Sequence, residues 1–63
     1  MEIRLTLDVG ITLIITESCV YLPEVQRTYQ LWPDDARQLA MELMKKPLKY
    51  RDTINKLEQL KRR

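Results

Sequence analysis

The hydrophobic period of this chain changes at Trp32-Pro33, and that change divides it into a part that can be sheet and a part that can be helix. Just before the junction, Tyr29 and Leu31 alternate with Thr28 and Gln30, the period of two that sets apolar side chains on one face of a strand. Just after it, Ala36, Leu39, Ala40 and Leu43 recur at i, i+3, i+4 and i+7 and so form one stripe on a helix. Pro33 suits the first helical position, where a missing N–H costs nothing, and Asp34 and Asp35 place negative charge at the positive end of the helix dipole. Trp32 would then be the N-cap, and it offers no side-chain acceptor. Asp34 or Asp35 is therefore expected to cap, Asp35 with Gln38 at capping-box spacing. The helix is predicted over about 33–46, with Pro47 stopping it or starting the next.

Upstream, residues 2–17 (EIRLTLDVGITLIITE) read as a β-hairpin. A type I turn on Leu7-Asp8-Val9-Gly10, with the glycine in the left-handed region, gives a three-residue loop and places Leu7 opposite Ile11. Leu5 then faces Leu13 and Ile3 faces Ile15, so six large aliphatic side chains fall on one face. A two-residue turn would demand positive φ of Val9, which a β-branched residue resists. The other face carries Arg4, Thr6, Thr12, Ile14 and Thr16 and is mostly polar. Residues 19–22 have strand composition, but Pro23 lacks a ladder donor and argues for an edge or a turn. The sheet is thus expected to have three strands, the third at about 27–31, or four if residues 19–22 pair. A last helix at about 48–61 carries Tyr50, Ile54 and Leu57 in a narrow stripe with Leu60 on its flank. Asp52 with Lys56 and Glu58 with Arg62 have the i, i+4 spacing of helix ion pairs. The expected fold is α+β, one small domain over residues 1–63, with helix 33–46 packed on the aliphatic face of an antiparallel sheet.

A 63-residue domain buries only about 60% of the surface its unfolded chain exposes. It needs staples, good packing or a partner. One cysteine, Cys19, makes no internal disulfide, and the absence of histidine excludes the usual zinc sites, so no metal or cofactor is expected. No run approaches the roughly 18 apolar residues of a membrane span, which makes the cytosol of its host the default compartment.

Catalysis has little to stand on. General acid–base chemistry without histidine would fall on carboxylates, lysines or tyrosines. The adjacent Asp34 and Asp35 are explained by a helix start, and Cys19 has no base near it in sequence to lower its pKa. The lone glycine also rules out a glycine-rich phosphate loop. The chain is expected to be no enzyme.

Charge is the remaining signal. Residues 1–44 carry three basic and seven acidic side chains, whereas residues 45–63 carry eight basic ones against Asp52 and Glu58. A basic tail on an acidic body suits an acidic partner, nucleic acid or self-association. Trp32 continues the Ala36, Leu39, Ala40 stripe on the wheel, which favours a lid on the core over an exposed anchor. Met41 and Met44 lie beside Arg37, off that stripe, where the last helix is expected to cover them; left open, they would form a methionine-rich patch. The function expected is non-enzymatic binding of a protein with an acidic surface, as in the small accessory or inhibitory proteins of phages and mobile elements. Its surface would be the helical side: Trp32, Arg37, Met41, Met44, Tyr50, Leu57 and Leu60. A homodimer through the Tyr50, Ile54, Leu57 seam and the methionines is a further expectation. The alternative is a DNA- or RNA-binding regulator gripping phosphates with Lys45, Lys46, Lys49, Arg51, Lys56, Lys61, Arg62 and Arg63.

Overall fold

Gly10 sets the register of the sheet. In the computed structural model, which describes residues 2–62, it sits at φ +77°, and its N–H donates to the Leu7 carbonyl at 2.9 Å. The Leu7 N–H donates in turn to the Ile11 carbonyl at 2.8 Å. Strands β1 (Ile3–Thr6) and β2 (Thr12–Ile15) then pair with Ile3 opposite Ile15 and Leu5 opposite Leu13, as alternation and turn chemistry require. Ile3, Leu5, Leu7, Ile11, Leu13 and Ile15 all belong to the core or pack against it.

The chain continues as a meander of four antiparallel strands in sequence order, with β3 at Cys19–Leu22 and β4 at Arg27–Gln30. Residues 19–22 are therefore a central strand, not an edge. Pro23 does no harm because it lies just past Leu22 and opens a 3-10 turn, Pro23–Val25, closed by Gln26 in the left-handed region at φ 52°. At that turn β2 outlasts β3, and a side chain replaces the missing strand. Glu24 accepts from the Thr12 hydroxyl and from the Thr12 N–H, both at 2.8 Å.

Helices α1 (Pro33–Lys45) and α2 (Tyr50–Leu60) cover the aliphatic face. The core joins Leu13, Ile15, Val20 and Leu22 of the sheet, and Leu31 just after β4, to Ala36, Leu39, Ala40 and Leu43 of α1 and Leu57 of α2. Burying each large aliphatic side chain contributes about 1.5–3 kcal/mol. The opposite sheet face stays open, with Arg4, Thr6, Tyr21 and Thr28 exposed along it.

The helix ends differ from expectation. Trp32 caps α1 with no side-chain bond, and neither Asp34 nor Asp35 supplies one, so the acids act on this terminus only through the dipole. α2 has no local cap either; its first N–H, at Tyr50, donates to Asp8 Oδ1 at 2.8 Å, across 42 residues of chain. At its other end the Arg62 N–H donates to the Gln30 carbonyl. α2 is thus tied to the hairpin turn at one end and to β4 at the other. Its anticipated internal ion pairs give way to tertiary and shorter ones, Lys56 with Glu42 of α1 at 3.7 Å and Lys61 with Glu58 at 2.9 Å. Among the described residues, Thr53 Oγ1 is the buried side-chain oxygen without a hydrogen-bond partner. No described helix is long and apolar enough to cross a membrane.

Candidate interaction surface

Helix α1 buries Ala36, Leu39, Ala40 and Leu43, and the rest of its circumference follows from 100° per residue. Glu42 lies on one flank, where it meets Lys56, and so marks the side on which α2 runs. Arg37, Met41 and Met44 lie on the other flank. α2 therefore does not cover the methionines as the sequence suggested; Met41 is 51% exposed and Met44 65%. Leu43, at the end of the same helix, lines a cleft with Leu5 and Leu7 of the hairpin.

Trp32 is also open, at 57%, and is not the expected lid. Its backbone is extended (φ −68°, ψ 146°), so it lies outside the helix whose stripe it would have continued. The Arg62 guanidinium sits over the indole at 4.9 Å from the ring centroid. Such contacts are worth about 0.5–1 kcal/mol where exposed. Tyr50 and Leu60 are half-buried against the core. Leu57 is wholly buried and is withdrawn from any partner surface. The proposed seam of Tyr50, Ile54 and Leu57 is occupied by the protein's own core, which removes it as a dimer interface.

The basic segment does not form one patch. Lys45, Lys46, Lys49 and Arg51 cluster around the helix–helix linker and the start of α2. Lys61 and Arg62 lie beyond the other end of that helix, about 16 Å away at 1.5 Å per residue. Lys56 is engaged with Glu42 and Lys61 with Glu58, while Arg62 covers Trp32. Arg63 lies outside the described residues. The Lys61 ammonium, and behind it the Tyr29 hydroxyl, hold the Glu58 carboxyl below its ordinary pKa. Arg27 donates to the Tyr29 hydroxyl at 3.3 Å. Those groups fasten α2 to β4. On the open sheet face the cation at Arg4 is paired with Glu2 at 3.1 Å.

Among the described residues no group of three or more histidine, cysteine or acidic side chains is placed to hold a metal. Cys19 is half-buried, its sulfur 3.1 Å from Thr16 Oγ1, and the Cys19 N–H donates to that same hydroxyl at 3.2 Å. The pair staples the β2–β3 connection.

One feature escaped sequence reasoning. Beside β1 lies a cleft of about 80 Å³ lined by Leu5, Thr6, Leu7, Leu43, Pro47 and Leu48. It adjoins a shallow depression bordered by Glu42, Lys45, Lys46 and Leu48. Its walls come from three separate stretches of chain, and only the packing of the linker against β1 brings them together. Comparison with protein-family models, with curated proteins and with solved structures returned no match.

Proposed function

We propose that this chain is a non-enzymatic protein-binding module of the accessory or inhibitory kind, and that it engages an acidic partner through the outer flank of α1. The observation that carries the reading is the exposure of Met41 and Met44 beside Arg37, on a flank that neither the sheet nor α2 covers. Methionine and arginine are enriched at interface cores, and the unbranched thioether adapts to irregular surfaces. The lysines around the linker add long-range attraction for acidic surfaces, which raises association rates more than affinity. The division of the cations between two ends of α2 favours this reading over a nucleic-acid grip.

The test is affinity capture with the parent and with Met41→Ala/Met44→Ala, each with and without nuclease. A stoichiometric protein retained by the parent through nuclease treatment and lost by the double variant supports the reading. Retention of nucleic acid alone would sink it and leave a DNA- or RNA-binding regulator. Sedimentation equilibrium of the isolated protein reports whether a second copy occupies the same flank.

A further inference from the structure

We propose that the outer edge of β1 accepts an extended, acidic peptide as a fifth strand, with one apolar side chain of that peptide seated in the cleft below Leu5. The proposal rests on the protein-binding reading and adds to the α1 flank a second contact, with the chemistry of the segment bound there.

The hydrogen-bond phase of the hairpin decides which backbone groups are open. Leu7 and Ile11 form a bonded pair, so by alternation Leu5 and Leu13 do as well, whereas Arg4/Ile14 and Thr6/Thr12 are non-bonded pairs. The N–H and C=O groups of Arg4 and Thr6 therefore point away from β2. Among the described residues no strand lies beyond them, and neither makes a backbone bond outside the ladder. The other edge is different. The Leu31 N–H donates to the Ser18 carbonyl, which turns Gln30 outward, and the Gln30 carbonyl is already taken by the Arg62 N–H. The sheet thus has one partly closed edge and one open edge.

Two features beside the open edge specify the occupant. A strand bonded to Arg4 and Thr6 runs about 4.8 Å from β1 and places its residue opposite Leu5 on the core side, toward the cleft walled by Leu43, Pro47 and Leu48. The cleft, at about 80 Å³, has room for one aliphatic side chain. Lys45 and Lys46 border the depression that shares Leu48 with it, and neither forms an ion pair among the described residues. The charge of these two lysines selects an acidic segment, and self-pairing of β1 is the competing outcome that concentration dependence tests.

The test uses the intact protein labelled with nitrogen-15 and a peptide of about eight residues alternating glutamate and leucine, the length of a strand with its flanks. The amides of Arg4 and Thr6 should shift and gain protection from exchange. N-methylation of the peptide at the amides that face β1 should weaken binding about tenfold or more, because it removes main-chain bonds without touching side chains. A lysine–leucine peptide should bind at least about tenfold more weakly than the acidic one. Thr6→Pro, its fold checked by circular dichroism, should lose the response.

Each contrary result is decisive. Equal binding of the N-methylated peptide overturns strand addition, and equal binding of the basic peptide overturns the acidic preference. Shifts confined to Arg37, Met41 and Met44 overturn the edge site while leaving the α1 reading intact. Protection of Arg4 and Thr6 that grows with protein concentration alone assigns the edge to a second copy and refutes the proposal.

Discussion

Asp8 is an exposed turn residue whose replacement should be felt in a helix that begins 42 residues later. Its carboxylate is the side-chain acceptor at the start of α2, since Lys49 provides none. A side-chain acceptor at a helix N-terminus is worth about 0.5–2 kcal/mol, and a negative charge there about 0.3–1 kcal/mol. Asp8→Ala removes both, for an expected loss of about 1–3 kcal/mol. Asp8→Asn keeps an oxygen acceptor and should lose only the charge component. A domain of 63 residues has about 3–9 kcal/mol of total stability, so the alanine variant forfeits a substantial share. At about 4–8 °C per kcal/mol its melting temperature should fall by roughly 4–24 °C, with the asparagine variant between it and the parent. Thermal and urea melts give the order, and exchange of the Tyr50 amide gives the cause. If Asp8→Ala melts with the parent, or melts lower while the Tyr50 amide is unchanged, the long-range cap contributes nothing.

The other expectations follow from burial and charge. Leu13→Ala should cost about 2–5 kcal/mol, and Leu57→Asp, which places a charge in the core, should undock α2 and lower the helical circular dichroism while the sheet signal persists; Met44→Ala should change stability by less than about 0.5 kcal/mol in the same urea series. Thr53→Val replaces an unpartnered buried hydroxyl by a methyl of similar shape and should raise stability by about 1 kcal/mol; a lower urea midpoint would show that the hydroxyl is satisfied in solution. The Thr12 hydroxyl, and then its N–H, hold the Glu24 carboxyl below its ordinary value of 4.5. The stabilisation from Glu24 is thus complete above that value and fades as pH falls through the lower folded pKa. Glu24→Gln should flatten the acid limb of urea midpoint against pH below about 4.5; an unchanged limb would remove Glu24 as its source.

The hairpin was legible because two local constraints agree. Gly10 permits one turn geometry, and the alternation of Ile3, Leu5 and Leu7 then has one register that sets them on the same face as Ile11, Leu13 and Ile15. The start of α1 was legible for the same reason, with Pro33 and two acids marking it beside a clean stripe. What failed depended on which way elements turn after they form. Residues 19–22 pair on both sides, yet Pro23 suggested an edge, since nothing local says that a proline one position further on would instead open a 3-10 turn. The stripe on α1 names the buried side but not the flank that α2 takes, and that choice, visible only in Glu42–Lys56, left the methionines bare. Trp32 was misjudged by extending a helical wheel one residue past the helix. The cleft beside β1 has no signature in any window of sequence, because Leu5, Leu43 and Leu48 meet only after the linker folds back.

The ties of α2 to the hairpin turn and to β4 also set an order of events. Every strand of the meander pairs with its neighbour in sequence, so the sheet closes through short loops, whereas α2 must close one loop from Asp8 to Tyr50 and another from Gln30 to Arg62. Contacts between distant positions demand more loop-closure entropy and form late. α2 also holds the orphaned hydroxyl of Thr53 in its buried stripe, which makes its seat shallower than that of α1. The second helix is therefore the segment to dock last and to detach first. When it detaches, Leu57 leaves a hydrophobic slot over the sheet without breaking the meander, and the sheet with α1 becomes a partly open form in equilibrium with the closed one.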